Sequence, residues 1–159
     1  MNQKCVRFIY IQPDIDMTTL EQKASISFGS AVLFAIINLP QTYQVTDSVL
    51  GPVLGPLQEN GCPTAIGLLV HTLVFGLVSF LSMGDPTQQT GVKAKYSLYG
   101  ALIFFFLSSP TVYSIVGSIF GTSSPTGCPT LGGVMLHALI YFLALTGVMY
   151  LPSDKRLDS

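Results

Sequence analysis

The sequence predicts an all-α membrane protein: four transmembrane helices, arranged as two tandem helical hairpins related by a parallel pseudo-two-fold. Three observations point there. The 159 residues are 49% hydrophobic and only 9% charged, with a mean hydropathy of +0.56, whereas an ordinary soluble domain carries about 25% charged residues. No Asp, Glu, Lys or Arg occurs from Tyr96 to Ser153, so that stretch cannot build a water-facing surface. And the phrase Gly-Cys-Pro-Thr-x-x-Gly-x-x-x-His is written twice, at Gly61–His71 and Gly127–His137.

The chain divides into a cytoplasmic N-terminal segment (1–22), hairpin repeat 1 (23–84), a linker (85–94), hairpin repeat 2 (95–152) and a C-terminal tail (153–159). In the N-terminal segment the apolar run "VRFIYI" is short and is followed by Pro13 and two aspartates. A cleavable leader needs a longer apolar region, so the first membrane helix is expected to act as its own insertion signal. Three positive and three negative charges surround that run up to Lys23, a composition suited to docking on a partner as an added strand.

Four segments can span. The first runs from about Lys23 to Leu39, with a continuation past Pro40 toward Gly51; Thr18 and Glu21 have capping-box spacing before it. The second starts at Pro63 and ends near Met83. The third covers about Tyr96 to Phe120, and the fourth Pro129 to about Leu151. A span needs roughly 20 residues. A soluble bundle would need polar outer faces, which "ALIFFFL" and "LLVHTLVFGLVSFL" lack. All seven Lys and Arg lie before the first helix, between the second and third, or after the fourth. By the positive-inside rule both termini are cytoplasmic, and both Gly-Cys-Pro-Thr loops face the lumen or exterior.

The duplication extends beyond the phrase. At an offset of 66, Gly61, Cys62, Pro63, Thr64, Gly67, His71, Leu73, Leu77 and Met83 match residues of the same type from Gly127 to Met149. At an offset of 70, Ser27, Ala31, Phe34, Pro40, Tyr43, Ser48 and Gly51 match Ser97 to Gly121 likewise. Each copy crosses twice, so the copies are parallel. Pro63 and Pro129 suit the first position of a helix. Pro40 and Pro110 sit inside helical stretches and predict a kink or break. Tyr43 and Tyr113 suit interfacial anchors. Gly67 and Gly133 share a helix face with His71 and His137 and open a notch for a neighbouring helix; Gly117 and Gly121 form a further small-xxx-small pair.

His71 and His137 follow their prolines by eight residues, roughly 12 Å of helix. An intramembrane ionisable residue is a functional candidate by default; the plainer reading is a neutral imidazole bonded across to a neighbouring helix, with the carbonyls released near Pro40 and Pro110 as acceptors. Cys62 and Cys128 occupy equivalent places. They fit a structural disulfide in an oxidising lumen, small free core residues, or a reactive thiol at a helix start. Two histidines without a buried carboxylate make no metal site. No cofactor motif, phosphate loop, Ser-His-Asp set or Cys-x-x-Cys pair is readable, and the near-neutral charge gives no support for nucleic-acid binding.

"SSPTVY" followed by a short loop and "GCPTLGGVMLH" resembles small two-span membrane proteins encoded by nucleocytoplasmic large DNA viruses, including those of algae. "LPQTYQVTDSVLG" with "NGCPTAIGLLVH" looks like a second copy of that unit, so the resemblance covers nearly all of the chain beyond about Lys23. It implies a structural virion membrane protein, not an enzyme. It further implies a place in the virion inner membrane or host endomembrane, in the lipid layer beneath the capsid, in contact with minor capsid or other membrane proteins. The chain departs from the single-unit pattern by carrying two units, which leaves self-association open. Two other functions stay in view: a small channel or transporter subunit using His71 and His137, and a luminal thiol oxidoreductase, which one cysteine per loop disfavours.

Overall fold

A computed structural model describes residues 20–83, 90–122 and 128–150. These are 82% helical, in six helices: α1 (Leu20–Asn38), α2 (Pro40–Leu54), α3 (Ala65–Ser82), α4 (Thr90–Leu107), α5 (Pro110–Phe120) and α6 (Leu131–Val148). Strands β1 (Gln58–Glu59) and β2 (Cys62–Pro63) pair antiparallel between α2 and α3. The strand-like run "VRFIYI" and Thr18 lie outside the described residues.

The two halves repeat the same break. Each proline takes the first turn of a new helix, because its missing N–H costs nothing there while its ring cannot continue the helix before it. α2 leaves α1 at 61°, and α5 leaves α4 at 62°. The kink or break expected at Pro40 and Pro110 is thus present in both halves, and the helix expected to continue past Pro40 does so at that angle, to Leu54. α3 and α6 are each long and apolar enough to cross a membrane alone; counting each bent pair as one span raises the number to four. α4 also starts earlier than expected, at Thr90, inside the stretch read as a linker.

The hairpins do not pack as separate units. α1 lies mainly along α6, and α3 along α4, so each half is completed by the other. Phe34, Phe75, Phe104 and Tyr141, all fully buried, fill the centre. Phe34 meets Phe104 edge-on at 5.3 Å, and Phe75 meets Tyr141 edge-on at 5.7 Å. Phe34 stacks on Tyr141 at 5.0 Å, and Phe75 on Phe104 at 4.7 Å. Such aromatic pairs contribute about 0.5–1.5 kcal/mol each beyond the area they bury. Ala31 and Ala101, also buried, join the same core.

The ends of the bundle are tied differently. At one end the Lys23 ammonium lies 4.6 Å over the ring of Tyr150, joining the start of α1 to the chain just after α6. At the other end Cys62 and Cys128 form a disulfide, with Cα atoms 4.8 Å apart. Of the three readings open for these cysteines, the structural bridge is the one realised.

Candidate functional site: tyrosine–histidine pairs below the disulfide

Asn60 and Gly61 both have positive φ, 52° and 79°. This is the two-residue Asn-Gly turn that favours a tight hairpin, and it folds β2 back on β1. The turn signal "NG" stands in the sequence at Asn60 and Gly61. One side-chain and one backbone bond then fasten this hairpin. Asp47, on α2, accepts from the Leu57 amide at 2.6 Å, and the Thr64 amide donates to the Leu57 carbonyl at 3.1 Å.

Thr64 and Thr130, rather than the prolines, start the helices that carry the histidines. Thr64 Oγ1 accepts from the Gly67 amide at 3.1 Å, and Thr130 Oγ1 from the Gly133 amide at 3.0 Å. Each hydroxyl also donates to the loop before it, to the Pro56 carbonyl at 2.8 Å and the Thr122 carbonyl at 2.9 Å. An N-cap threonine satisfies an orphan amide that a proline one residue earlier cannot reach. Pro63 and Pro129 thus precede the cap, and the expectation that they open the helices is corrected. His71 lies six residues past Ala65, about 9 Å along the helix rather than 12 Å.

Gly67 makes room for the loop before its helix, and Gly133 for its own cap, a loop carbonyl and a ring of α5. A Cβ on Gly67 would collide with the Leu57 carbonyl group, whose carbon would stand 2.9 Å away. A Cβ on Gly133 would meet Thr130 Oγ1 at 3.2 Å, with the Thr122 carbonyl and the Tyr113 ring at 3.5 Å. Gly121 caps α5 in a left-handed conformation, its amide donating to the Gly117 carbonyl, so this pair closes a helix rather than opening a notch.

Tyr43 and Tyr113 are 1% and 3% exposed, which corrects their reading as interfacial anchors. The 61–62° bends turn each tyrosine inward onto a histidine. Tyr43 lies on His71 and Tyr113 on His137, with ring centroids 3.8 Å apart in both pairs. Both imidazoles are buried against protein.

Their hydrogen bonds differ. His71 Nε2 stands 2.9 Å from Thr46 Oγ1, which itself donates to the Thr42 carbonyl at 2.6 Å. That hydroxyl has given away its proton, so it accepts from Nε2–H and leaves Nδ1 bare. His137 Nδ1 instead donates to the Gly133 carbonyl at 2.8 Å, since a carbonyl can only accept. At the offset of 70, Thr46 corresponds to Val116; valine offers no oxygen, and the second imidazole turns to its own helix. His71 does not use the carbonyls expected near Pro40, whereas His137 also has a backbone bond to Val112, two residues past Pro110. Local groups claim several of these first: Thr42 Oγ1 donates to the Ile36 carbonyl at 2.6 Å, and Asn38 Nδ2 to the Phe34 carbonyl at 3.0 Å.

No known family, curated protein or solved structure matches the chain. Among the described residues no group of three or more His, Cys, Asp or Glu could hold a metal ion.

Proposed function

We propose that the chain is a structural integral membrane protein whose two halves, related by a parallel pseudo-two-fold, form one bundle of four spans. The aromatic quartet supports the axis. Its two edge-on contacts join equivalent positions, Phe34 with Phe104 and Phe75 with Tyr141, while its two stacked contacts exchange partners under the same rotation. At about 1.5 Å per residue α1, α3, α4 and α6 are each about 27–29 Å long, near the thickness of a hydrocarbon core. α2 and α5 then lie along the interface on the disulfide side. Their exposed faces agree: Val45, Val49 and Val53 beside Gln41, Gln44 and Ser48 on α2, and Ile115 and Ile119 beside Thr111, Ser114 and Ser118 on α5. Apolar and polar rows side by side suit a helix at the headgroup boundary. Charge placement puts both termini on the cytoplasmic side.

The observation that carries the structural reading is how the repeated residues are used. Cysteine, threonine, glycine, histidine and tyrosine of the repeated phrases all join one segment of the bundle to another. By the viral resemblance we place the protein in the lipid layer under a large DNA virus capsid, in contact with capsid proteins and without catalytic activity. Mass spectrometry of purified particles before and after detergent stripping tests this. The reading requires the protein to be enriched in particles and lost with the lipid; absence from particles refutes the viral placement.

A small channel or transporter subunit is the second reading. It is favoured by buried polar atoms of the tyrosine–histidine pairs that have no protein partner, Tyr43 Oη, His71 Nδ1 and Tyr113 Oη. Ion and proton flux across liposomes holding the purified protein decides between the two.

A further inference from the structure

The duplication makes each half a control for the other, and one groove fails the comparison. It lies between α3 and α4, with a volume of about 300 Å³ and an almost wholly apolar lining. Its floor is Gly76 and Ala101, which come so close that a Cβ on Gly76 would stand 3.3 Å from the Ala101 methyl. Its rims are Leu73 and Leu77 on one helix and Leu98 and Leu102 on the other, all exposed. The matching helix pair is α6 with α1, and there Phe142 stands in place of Gly76. That ring is partly buried and packs on the core. Two further differences lie toward the end of α4 that carries the lysines. Ser27 donates its hydroxyl to Met149 Sδ at 3.8 Å, whereas its match Ser97, 5% exposed and lining the groove, has no partner for Oγ. Thr72, the other polar residue of the lining, already donates to the Leu68 carbonyl at 2.7 Å. Lys23 lies over Tyr150, whereas for its match Lys93 the position corresponding to Tyr150 is Gly84, which has no ring to offer. Lys93 precedes Ser97 by one turn on the same face of α4. One half thus fills with its own side chains what the other leaves open: an apolar slot, a hydroxyl and a cation, in line along α4.

We propose that this groove binds one anionic glycerophospholipid of the cytoplasmic leaflet. Lys93 holds the phosphate, the Ser97 hydroxyl donates to an ester carbonyl, and the acyl chain runs over Gly76 and Ala101 toward Thr72. The order along the helix matches the ligand, in which phosphate, glycerol ester and chain follow in that sequence. A buried hydroxyl in hydrocarbon costs free energy until it finds an acceptor. A hydrocarbon chain offers none, so the ester is what Ser97 requires. The charge is complementary as well. Lys93 and Lys95 bring two cations to this end of α4, whose first turn holds no acidic residue, and the cytoplasmic leaflet is the one rich in anionic lipid. A helix of a second copy is a poorer occupant. Close helix contact needs small residues across the contact surface, and here exposed leucines stand on both sides of the glycine. The proposal rests on the four-span orientation, but not on the viral placement.

The test uses the full chain in phosphatidylcholine vesicles holding a small fraction of phosphatidylglycerol with a photoreactive diazirine on its acyl chain. After irradiation of the wild-type protein, peptide mass spectrometry is expected to find the label on α3 and α4 around Gly76 and Ala101, and not on the matching face of α6 and α1. Lys93→Gln is expected to cut the yield about fivefold, the effect of one lysine at an anionic surface. Lys23→Gln, the matching change, is expected to leave it unaltered. Ser97→Ala is expected to weaken labelling by the ester-linked lipid about fivefold, and to have no effect on the ether-linked analogue, which has no carbonyl to accept. Label spread evenly over the two faces, equal effects of Lys93→Gln and Lys23→Gln, or a Ser97→Ala effect that is absent or the same for both lipids would each overturn the proposal. Labelling of single cysteines at positions 59 and 95 in the same vesicles reads the span arrangement separately, so a wrong orientation is not mistaken for an empty groove.

Discussion

Gly67 and Gly133 are equivalent in the repeat, yet alanine at the two positions should have opposite consequences. At Gly67 the added methyl meets the carbonyl group of Leu57, which is backbone and cannot swing aside. The hairpin must lift. That breaks the Thr64 amide bond to Leu57, worth about 1 kcal/mol, weakens the Asp47 bond to the Leu57 amide, worth about 1.5 kcal/mol or more, and exposes the fully buried Leu57 side chain, worth about 2 kcal/mol. Against this loss of about 4–5 kcal/mol, alanine returns about 1 kcal/mol of helix propensity. The net expectation for Gly67→Ala is a destabilisation of about 3 kcal/mol. At Gly133 the closest atom is the Thr130 hydroxyl at 3.2 Å, with the Thr122 carbonyl and the Tyr113 ring next at 3.5 Å; a shift of a few tenths of an ångström suffices, and the propensity gain of about 1 kcal/mol roughly offsets it. Gly133→Ala should lie within about 1 kcal/mol of wild type. Unfolding in mixed micelles of increasing SDS fraction, followed by the near-UV signal of the tyrosines, measures both. Equal effects at the two positions would refute the argument that the loop backbone, rather than a repeated helix contact, occupies the Gly67 notch.

The disulfide closes a sequence separation of 66 residues, which in chain-entropy terms contributes about 4 kcal/mol, an upper bound where inserted helices already restrict the unfolded chain. Reduction should therefore lower the SDS midpoint, and an unchanged midpoint would show that the aromatic core alone holds the halves. The two histidines should be neutral in opposite tautomers, Nε2–H at His71 and Nδ1–H at His137, readable from 15N chemical shifts. Val116→Thr should switch His137 to the His71 pattern, and an unchanged His137 tautomer would remove Thr46 as the cause of the difference. In a Cys5→Ser background, single cysteines at Lys95 and at the exposed Glu59 should react with an impermeant thiol reagent from opposite sides of sealed vesicles; labelling of both from one side would sink the four-span arrangement.

The sequence by itself determined the medium, the helical class and the duplication, because these follow from sums and spacings. A stretch with no charge from Tyr96 to Ser153 belongs in lipid whatever its neighbours are, and Pro40 and Pro110 must interrupt a helix wherever they fall. The matched cysteines marked a site where two parallel copies could meet. Only the tertiary structure decided what the repeated residues touch. Proline and threonine stand side by side at each helix start, and the hydroxyl's reach to an amide three residues on decides which of them caps it. Tyrosine serves equally at a membrane surface or on a buried imidazole; the bend of α2 and α5 turns both inward. A glycine records that something comes close, not whether it is a helix, a ring or a carbonyl. The repeat predicts like contacts at like positions, but a hydrogen bond needs a specific atom at a specific place. Outside the matched positions Thr46 stands against Val116, so the oxygen that His71 uses has no counterpart for His137.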